Sequence, residues 1–208
     1  MTGTAPSPAP LRLGLTGGIG SGKTTVGQWL QEFGAALVDA DRIARSATAA
    51  GGLAIPAIRS AFGDGMIDAG GAMDRARMRE LAFQDAGARQ RLEAIVHPLV
   101  AQAIHAEARQ AAARGAKVVV FDIPLLAESP RWPQQLDRIL VVDCSEATQV
   151  ARVQARSGLA PDTVRAIIAS QAPRAARRAV ADMVLHNDRI PLDTLRAEVR
   201  RIADGFGL

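Results

Sequence analysis

The sequence predicts an α/β fold with a parallel β-sheet and a helical insertion. Three observations predict it: short apolar runs alternate with helical segments, two runs are apolar throughout, and residues 42–115 are almost entirely helical in pattern. The apolar runs at 117–122 and 138–143 suit strands that are buried on both faces. The helical stretch is far longer than an ordinary connection between two strands, so we interpret it as an inserted subdomain. Such an insertion is a candidate module for binding a second substrate, the acceptor of a transferred group.

The remaining elements follow from local patterns. Residues 12–15 predict the first strand, and residues 23–33 a helix with apolar residues at helical spacing, which Gly34 closes. His97-Pro98 predicts a break or a helix start inside the insertion. Six further segments are predicted: a strand at 36–38, helices at 146–156 and 161–171 around the Ser157-Gly158 turn, an Arg-rich helix, a strand at 183–185, and a closing helix at 192–203.

Length and composition favour one globular domain, which we place at 11–208 of the 208 residues. No apolar run reaches the roughly 18 residues that a membrane helix requires, which excludes a transmembrane protein. Residues 1–10 lack the apolar centre of a secretory signal and are interpreted as a disordered leader. A single cysteine, Cys144, cannot form an internal disulfide, so we expect a cytoplasmic location.

The charge pattern favours small anionic ligands over nucleic acid. The chain has 25 basic residues, only two of them lysines, against 21 acidic ones, and 3% aromatic residues with no tyrosine. Binding of nucleic acid needs clustered charge together with stacking aromatics or a recognition helix. We therefore expect no nucleic-acid partner.

One motif carries specific chemistry. Residues 17–24 read GGIGSGKT, which matches G-x-x-x-x-G-K-T directly after a strand and at the start of a helix. Backbone N–H groups in such a loop attract phosphate oxygens, the lysine reaches the β- and γ-phosphates, and the threonine hydroxyl binds Mg²⁺. The motif predicts a three-layer α/β/α P-loop fold that binds ATP and Mg²⁺ through Gly18, Ile19, Gly20, Ser21, Gly22, Lys23, Thr24 and Thr25. The alternative is a glycine-rich turn without a ligand, which the flanking strand and helix disfavour.

A nucleotide site of this kind serves switches, motors and kinases. A GTPase switch carries an Asn-Lys-x-Asp guanine-binding motif, and neither Lys23 nor Lys117 lies in one. A small-molecule kinase needs an acceptor pocket, a group that receives the acceptor's proton, and positive charge over the phosphates. The sequence offers candidates for all three.

Over residues 11–203 the chain resembles the dephospho-coenzyme A kinase family. The resemblance implies transfer of the ATP γ-phosphate to the ribose 3′-hydroxyl of dephospho-coenzyme A, the last step of coenzyme A biosynthesis. The matching stretches are LTGGIGSGKTTV (15–26), VDADRIAR (38–45), MDRARMRELAF (73–83), IVHPLV (95–100), DIPLLAE (122–128), Gln149 with Arg152 and Arg156, SQAPRAARRAVAD (170–182), and Asn187.

The resemblance also implies roles for individual residues. Asp41 would be the catalytic base, and its position just past a strand end suits that role; the alternative is a helix N-cap. Asp39 is expected to have a structural role or to contact a metal-bound water. Arg152 and Arg156 lie four residues apart on one helix face of a mobile lid at about 146–181. Arg152 would meet the transferred phosphate and Arg156 the nucleotide, the alternative being a solvated surface. Weaker candidates are Arg174, Arg177 and Arg178.

Other candidates lie on the acceptor side and at strand ends. His97 either contacts the anionic part of the coenzyme or is a buried structural residue, and Asn187 either meets the ATP base or caps a turn. Asp122 resembles a Walker-B aspartate and is assigned an indirect role at magnesium, whereas Asp143 simply ends its strand. The stretch that lines the acceptor comprises Pro124, Leu125 and Leu126.

Two alternative functions stay open at this point. A nucleoside-monophosphate or shikimate-type kinase would share the loop and the lid but take another acceptor. A P-loop regulatory or nucleic-acid-dependent ATPase would hydrolyse ATP without a phosphorylated small-molecule product. Only the motifs between the loop and the lid argue against the first.

Overall fold

A computed structural model describes residues 9–208, so the leader expected at 1–10 lies almost wholly outside the described residues. The predicted α/β architecture is confirmed. Its strands are β1 (Leu11–Gly17), β2 (Ala36–Asp39), β3 (Val118–Asp122), β4 (Arg138–Asp143) and β5 (Met183–His186). Its helices are α1 (Lys23–Glu32), α2 (Ala40–Ala47), α3 (Ile55–Phe62), α4 (Arg75–Gln84), α5 (Ala86–Ala113), α6 (Glu146–Ser157), α7 (Pro161–Ser170), α8 (Arg174–Ala179) and α9 (Leu192–Gly205).

The sheet has the strand order β2-β3-β1-β4-β5. Strand β1 lies in the centre and pairs in parallel with β3 and β4, and β4 pairs in parallel with β5. In this register Leu15 lies beside both Asp122 and Leu140. The carboxyl ends of parallel strands meet at one edge, so Gly17, Asp122 and Asp143 end at the same side of the sheet, where ligands bind in such folds.

The main core packs against one face of the central strands. The run from Val118 to Asp122 is buried at every position, as its continuous apolar pattern predicts. Leu13, Leu15, Val120 and Leu140 pack with apolar residues of α1 and α9. This core fixes the strand ends from which the site is built.

The chain forms two compact units. One comprises the residues up to Val38 together with 108–208 and contains the sheet; the other comprises residues 39–107 and is helical. The helical unit has a core of its own, in which Ile58 and Met78 are fully or almost fully buried. Within residues 9–208, no helix is both long and apolar enough to cross a bilayer.

The break or helix start predicted at His97-Pro98 is wrong, because α5 continues through Pro98. Proline removes one backbone N–H and therefore one helical hydrogen bond. Apolar side chains on both sides of it, including Ile95 and Leu99, pack on the core of the helical unit. We infer that this packing keeps the helix continuous despite the lost bond.

Candidate active site

The phosphate loop begins where β1 ends and closes through a tight turn. The Ser21 N–H donates to the Gly18 carbonyl at 3.0 Å, and both Gly20 (φ 74°) and Gly22 (φ 94°) have left-handed backbones. Helix α1 starts at Lys23, and no side chain caps its N-terminus. Uncapped N–H groups at a helix start are the donors that an anion accepts.

Lys23 forms an ion pair with Asp122 at the carboxyl end of β3. Asp122 is only 6% exposed, and the Lys23 side chain is largely buried as well. Thr24 lies exposed in the first turn of α1. The structure thus brings the predicted lysine and the Walker-B-like aspartate into direct contact.

Side chains from α6 and from the end of β5 bind the carbonyl side of the loop. Arg152 donates to the Gly20 and Ser21 carbonyls at 3.5 and 3.4 Å and to Oδ1 of Asn187 at 3.2 Å. The buried Asn187 amide donates to the Ser21 carbonyl at 2.7 Å. The Ser21 N–H is already used in the turn, so the peptide group between Ser21 and Gly22 is the one of these whose engaged carbonyl leaves its N–H facing a ligand.

Arg156 does not join Arg152 at the loop. It is exposed in the last turn of α6, and its Nε donates to the Ser157 hydroxyl at 3.4 Å. In this conformation only Arg152 projects over the loop, and the expectation that both guanidinium groups do so stays a prediction for the closed lid. The reason is distance along the helix, since α6 contacts the loop one turn earlier, at Arg152.

Two glutamines that sequence reasoning left out of the site, and one of its weaker candidates, also contact the loop or its surroundings. The Gln149 amide donates to the Ile19 carbonyl at 2.6 Å, and the Ile19 N–H donates to Oε1 of Gln171 at 3.0 Å. Arg177, earlier a weak candidate, is buried, and a Cβ added at Gly18 would lie 2.9 Å from its guanidinium. The only signal for all three is their presence in stretches that match the family, and no local pattern marks them.

The strand ends beside the loop are fixed by ionic contacts. Asp143, which ends β4 as predicted, accepts two hydrogen bonds from Arg174 at 2.7 and 2.6 Å. These bonds hold the pKa of Asp143 below its usual value. Hydrogen bonds from Thr148 and Ser145 lower the pKa of Asp188 to about 2. Arg174 is thus committed to a buried carboxylate.

Each unit contains a cavity beside residues considered for the site. The one beside the phosphate loop, of about 360 Å³, brings Thr25, Arg152 and Asn187 together with an apolar wall of Ile190, Leu192 and Leu195. Its mixture of amide, guanidinium and apolar surface suits a flat heteroaromatic ring. The cavity of the helical unit, of about 290 Å³, is lined by Ile43, Ala47, Leu53 and Leu99 beside the ion pair of Arg42 and Glu107.

In the helical unit, Asp39 and Asp41 have separate roles. Asp39 caps α2, since its carboxylate accepts from the Arg42 N–H at 2.8 Å. The N-cap alternative for Asp41 is therefore wrong, and its side chain lies exposed in the first turn of α2. His97 is exposed in the middle of α5, so the alternative of a buried residue at a helix start is also wrong.

The stretch after β3 is divided between surface and core. The Pro124 carbonyl accepts from the Thr16 hydroxyl at 3.1 Å, and the Leu125 side chain is 53% exposed. Leu126 is fully buried, and a Cβ added at Gly14 would lie 2.8 Å from it. Its side chain belongs to the core and cannot line an acceptor pocket in this conformation.

Comparison with known proteins identifies the family. Residues 11–192 match the family described as "Dephospho-CoA kinase". The chain belongs to this family. A relative from Albidiferax ferrireducens named "Dephospho-CoA kinase" is 54% identical over 95% of this chain and 93% of its own. One of the same name from Bordetella parapertussis is 52% identical over 93% of this chain and 89% of its own.

Solved structures share the fold. A Thermus thermophilus protein, TT1252, has a TM-score of 0.78 at 33% identity over 94% of this chain and 97% of its own. The "Dephospho-CoA kinase from Campylobacter jejuni" has a TM-score of 0.69 at 21% identity over 93% and 95%. A shikimate kinase from Bacteroides thetaiotaomicron has a TM-score of 0.52 at 16% identity over 95% and 99%, a likeness of fold alone. For a dephospho-CoA kinase family member, the shikimate-type, nucleoside-monophosphate and ATPase alternatives are not favoured.

Proposed function

We propose that this chain transfers the γ-phosphate of ATP to the ribose 3′-hydroxyl of dephospho-coenzyme A, forming ADP and coenzyme A. The observation that carries the proposal is the phosphate loop of a dephospho-CoA kinase family chain, with an uncapped helix start and with Lys23 and Arg152 beside it. In the reaction the bond from the γ-phosphorus to the bridging oxygen breaks, and a bond to the acceptor oxygen forms. The acceptor's proton goes to a protein base.

The phosphate side of the reaction belongs to the sheet unit. Lys23 exchanges Asp122 for the β- and γ-phosphates, and the N–H groups at the start of α1 bind the same oxygens. Arg152 covers the charge that develops in the transition state, when α6 and the rest of the lid at 146–181 close and exclude water. Arg156, exposed now, joins the nucleotide on closure.

The ATP base occupies the cavity beside the loop. Asn187 and Arg152 offer hydrogen-bonding groups there, and Ile190 with Leu192 offers apolar surface. Since Asn187 is already bonded to the Ser21 carbonyl, its position is fixed before ATP arrives. This supports the first of its two predicted roles.

The acceptor side belongs to the helical unit. Asp41, exposed and free of any capping role, receives the proton of the 3′-hydroxyl. His97 contributes an exposed imidazole to the anionic part of the coenzyme. Within the sheet unit, Pro124 and the exposed Leu125 offer backbone and apolar surface to a ligand.

The residues present fit a magnesium ion. Among the described residues no group of three His, Cys, Asp or Glu side chains forms a metal site. Mg²⁺ in kinases needs none, since it is bound by one or two protein oxygens, phosphates and waters. Thr24 would bind it directly and Asp122 indirectly, and bound there it would neutralise charge on the β- and γ-phosphates. The proposal places the reaction in the cytoplasm, which a single buried cysteine, Cys144, supports.

An end-point assay tests the proposal. The protein is incubated with ATP, Mg²⁺ and dephospho-coenzyme A, and both ADP and coenzyme A are quantified by mass, with AMP, CMP and shikimate as control acceptors. We expect equal amounts of ADP and coenzyme A and no product from the controls. ADP without coenzyme A, product from a control, or ADP release stimulated by DNA or RNA would overturn the assignment.

A further inference from the structure

The phosphate loop contains a tight turn whose closing hydrogen bond does not fix the orientation of its central peptide group, between Ile19 and Gly20. The Ser21-to-Gly18 hydrogen bond closes a four-residue turn with Ile19 and Gly20 in its centre. Gly20 has φ 74°, whereas among the described residues other than glycine only Arg189 has a positive φ. This combination defines a type II turn, which differs from type I by rotation of the central peptide through about half a turn.

Gln149 fixes that orientation. Its amide, on a side chain that is 1% exposed, donates to the Ile19 carbonyl at 2.6 Å. The peptide is trans, so the N–H of Gly20 points opposite to the Ile19 carbonyl and away from α6. Rotation to the type I form would break this bond and turn the N–H around.

Gln171 holds the neighbouring peptide group with the opposite polarity. It follows the last residue of α7, and its Oε1 accepts from the Ile19 N–H at 3.0 Å. The Ile19 side chain packs on Val153 of α6 and on Val164 and Ile168 of α7. One loop residue is therefore held by its N–H, its carbonyl and its side chain, all from the α6–α7 helix pair.

We propose that Gln149 and Gln171 are positioning residues that hold the Gly20 N–H in the direction that binds ATP phosphate. The proposal rests on the proposed function only for the identity of the nucleotide. Gln149 must act as a donor and Gln171 as an acceptor, so the same substitution has unequal effects at the two positions.

The test compares Gln149→Glu with Gln171→Glu, using Gln154→Glu on the same helix as the control for added charge. A carboxylate at 171 still accepts from the Ile19 N–H, whereas one at 149 faces the Ile19 carbonyl with no proton to donate. Binding of a non-hydrolysable ATP analogue is measured by calorimetry from pH 5 to 8. At pH 8 we expect Gln149→Glu to bind about tenfold more weakly than Gln171→Glu, the cost of one unmade buried hydrogen bond. Gln154→Glu should bind as the unaltered chain does.

Lowering the pH supplies the missing proton. A protonated carboxyl donates, so the gap between the two variants should close toward pH 5. Gln149→Met, which cannot donate at any pH, should bind weakly throughout, and it replaces Gln149→Glu if that variant does not fold. In steady-state kinetics the KM for ATP should rise in Gln149→Glu while the KM for dephospho-coenzyme A stays unchanged.

Equal affinities of the two glutamate variants at every pH, or a gap that does not change with pH, would overturn the proposal. A fall in kcat with an unchanged KM for ATP would do the same, because that is the mark of a general loss of folded protein. The binding experiment is independent of the acceptor. If the unaltered chain makes no coenzyme A, the proposed function fails while the comparison of the glutamines still gives its answer.

Discussion

At the scale of single residues, the ion pair between Lys23 and Asp122 links stability to catalysis. Each of the two side chains is largely buried, and each supplies a counter-charge to the other. ATP would take the lysine for its phosphates and leave the aspartate to act near magnesium. The two functions of Lys23 can be separated by substitution.

Lys23→Met should lower kcat by about 100-fold or more, since it removes a charge that stabilises the transferred phosphate. It should also lower the free energy of unfolding by roughly 1–3 kcal/mol, because the Asp122 carboxylate loses Lys23. The double variant Lys23→Met/Asp122→Asn should recover stability in urea unfolding but no activity. Recovery of activity would show that the lysine serves only the aspartate.

Asp41→Asn should reduce kcat by about 10²–10⁴-fold while ATP-analogue affinity stays unchanged, since a general base contributes to proton transfer alone. The matched control is Asp39→Asn, because asparagine caps a helix as well as aspartate does. Coupled ADP assays and calorimetry on both variants give the comparison. An active Asp41→Asn enzyme would remove this residue from the mechanism.

The sequence predicts site residues best where they are neighbours along the chain. Lys23 and Thr24 follow from one eight-residue motif, because the loop and the helix start are local structures. The contacts of Gln149 and Gln171 with Ile19 cross separations of 130 and 152 residues. Only the three-dimensional packing of α6 and α7 creates them, so no local pattern marks them.

At the scale of elements, the strands were predicted closely because their apolar runs are buried on both faces, as in β4. The sequence alone does not distinguish the cap of α2 from its neighbour, since Asp39 and Asp41 are both good capping types and only the start of the helix at Ala40 decides between them. Pro98 was misjudged because tertiary packing overrides its local preference.

Pro98→Ala should raise the free energy of unfolding by about 1–2 kcal/mol. Proline inside a helix costs about 3 kcal/mol relative to alanine, part of which is offset because proline also restricts the unfolded chain. Pro98 is exposed, so alanine removes little packing. Urea unfolding gives the value, and a destabilised variant would show that the proline geometry is needed for the packing of α5.

The free energy of unfolding should decrease at low pH because of two aspartates at the ends of β4 and β5. The pKa values of Asp143 and Asp188 are lowered in the folded chain, the latter from 3.8 to about 2. Their contribution is therefore complete above about pH 5 and is lost as the pH falls toward 2. In urea unfolding at pH 7, Asp143→Asn should be less stable than the unaltered chain, with a shallower loss between pH 4 and 2. Parallel curves in that range would contradict this assignment.

At the scale of the whole molecule, each unit has a core of its own, so each can respond to its own substrate. In hydrogen exchange, an ATP analogue should slow exchange in the phosphate loop and in α6 and α7 of the sheet unit. Dephospho-coenzyme A alone should slow exchange in the helical unit at 39–107. Protection by the acceptor confined to the sheet unit would contradict the role proposed for the helical unit.

Because the chain has only two lysines, chemical labelling of Lys23 can report on whether the phosphate loop is occupied. Apart from the terminal amine, the primary amines of the chain are those of Lys23 and Lys117, and the Lys117 ammonium donates to the Gly207 carbonyl at 2.9 Å, outside the site. An amine-specific acylating reagent therefore labels one lysine inside the nucleotide site and one reference lysine elsewhere. The ratio of the two labels, followed by peptide mass, measures nucleotide occupancy in the unmodified protein without a fluorophore or an engineered residue.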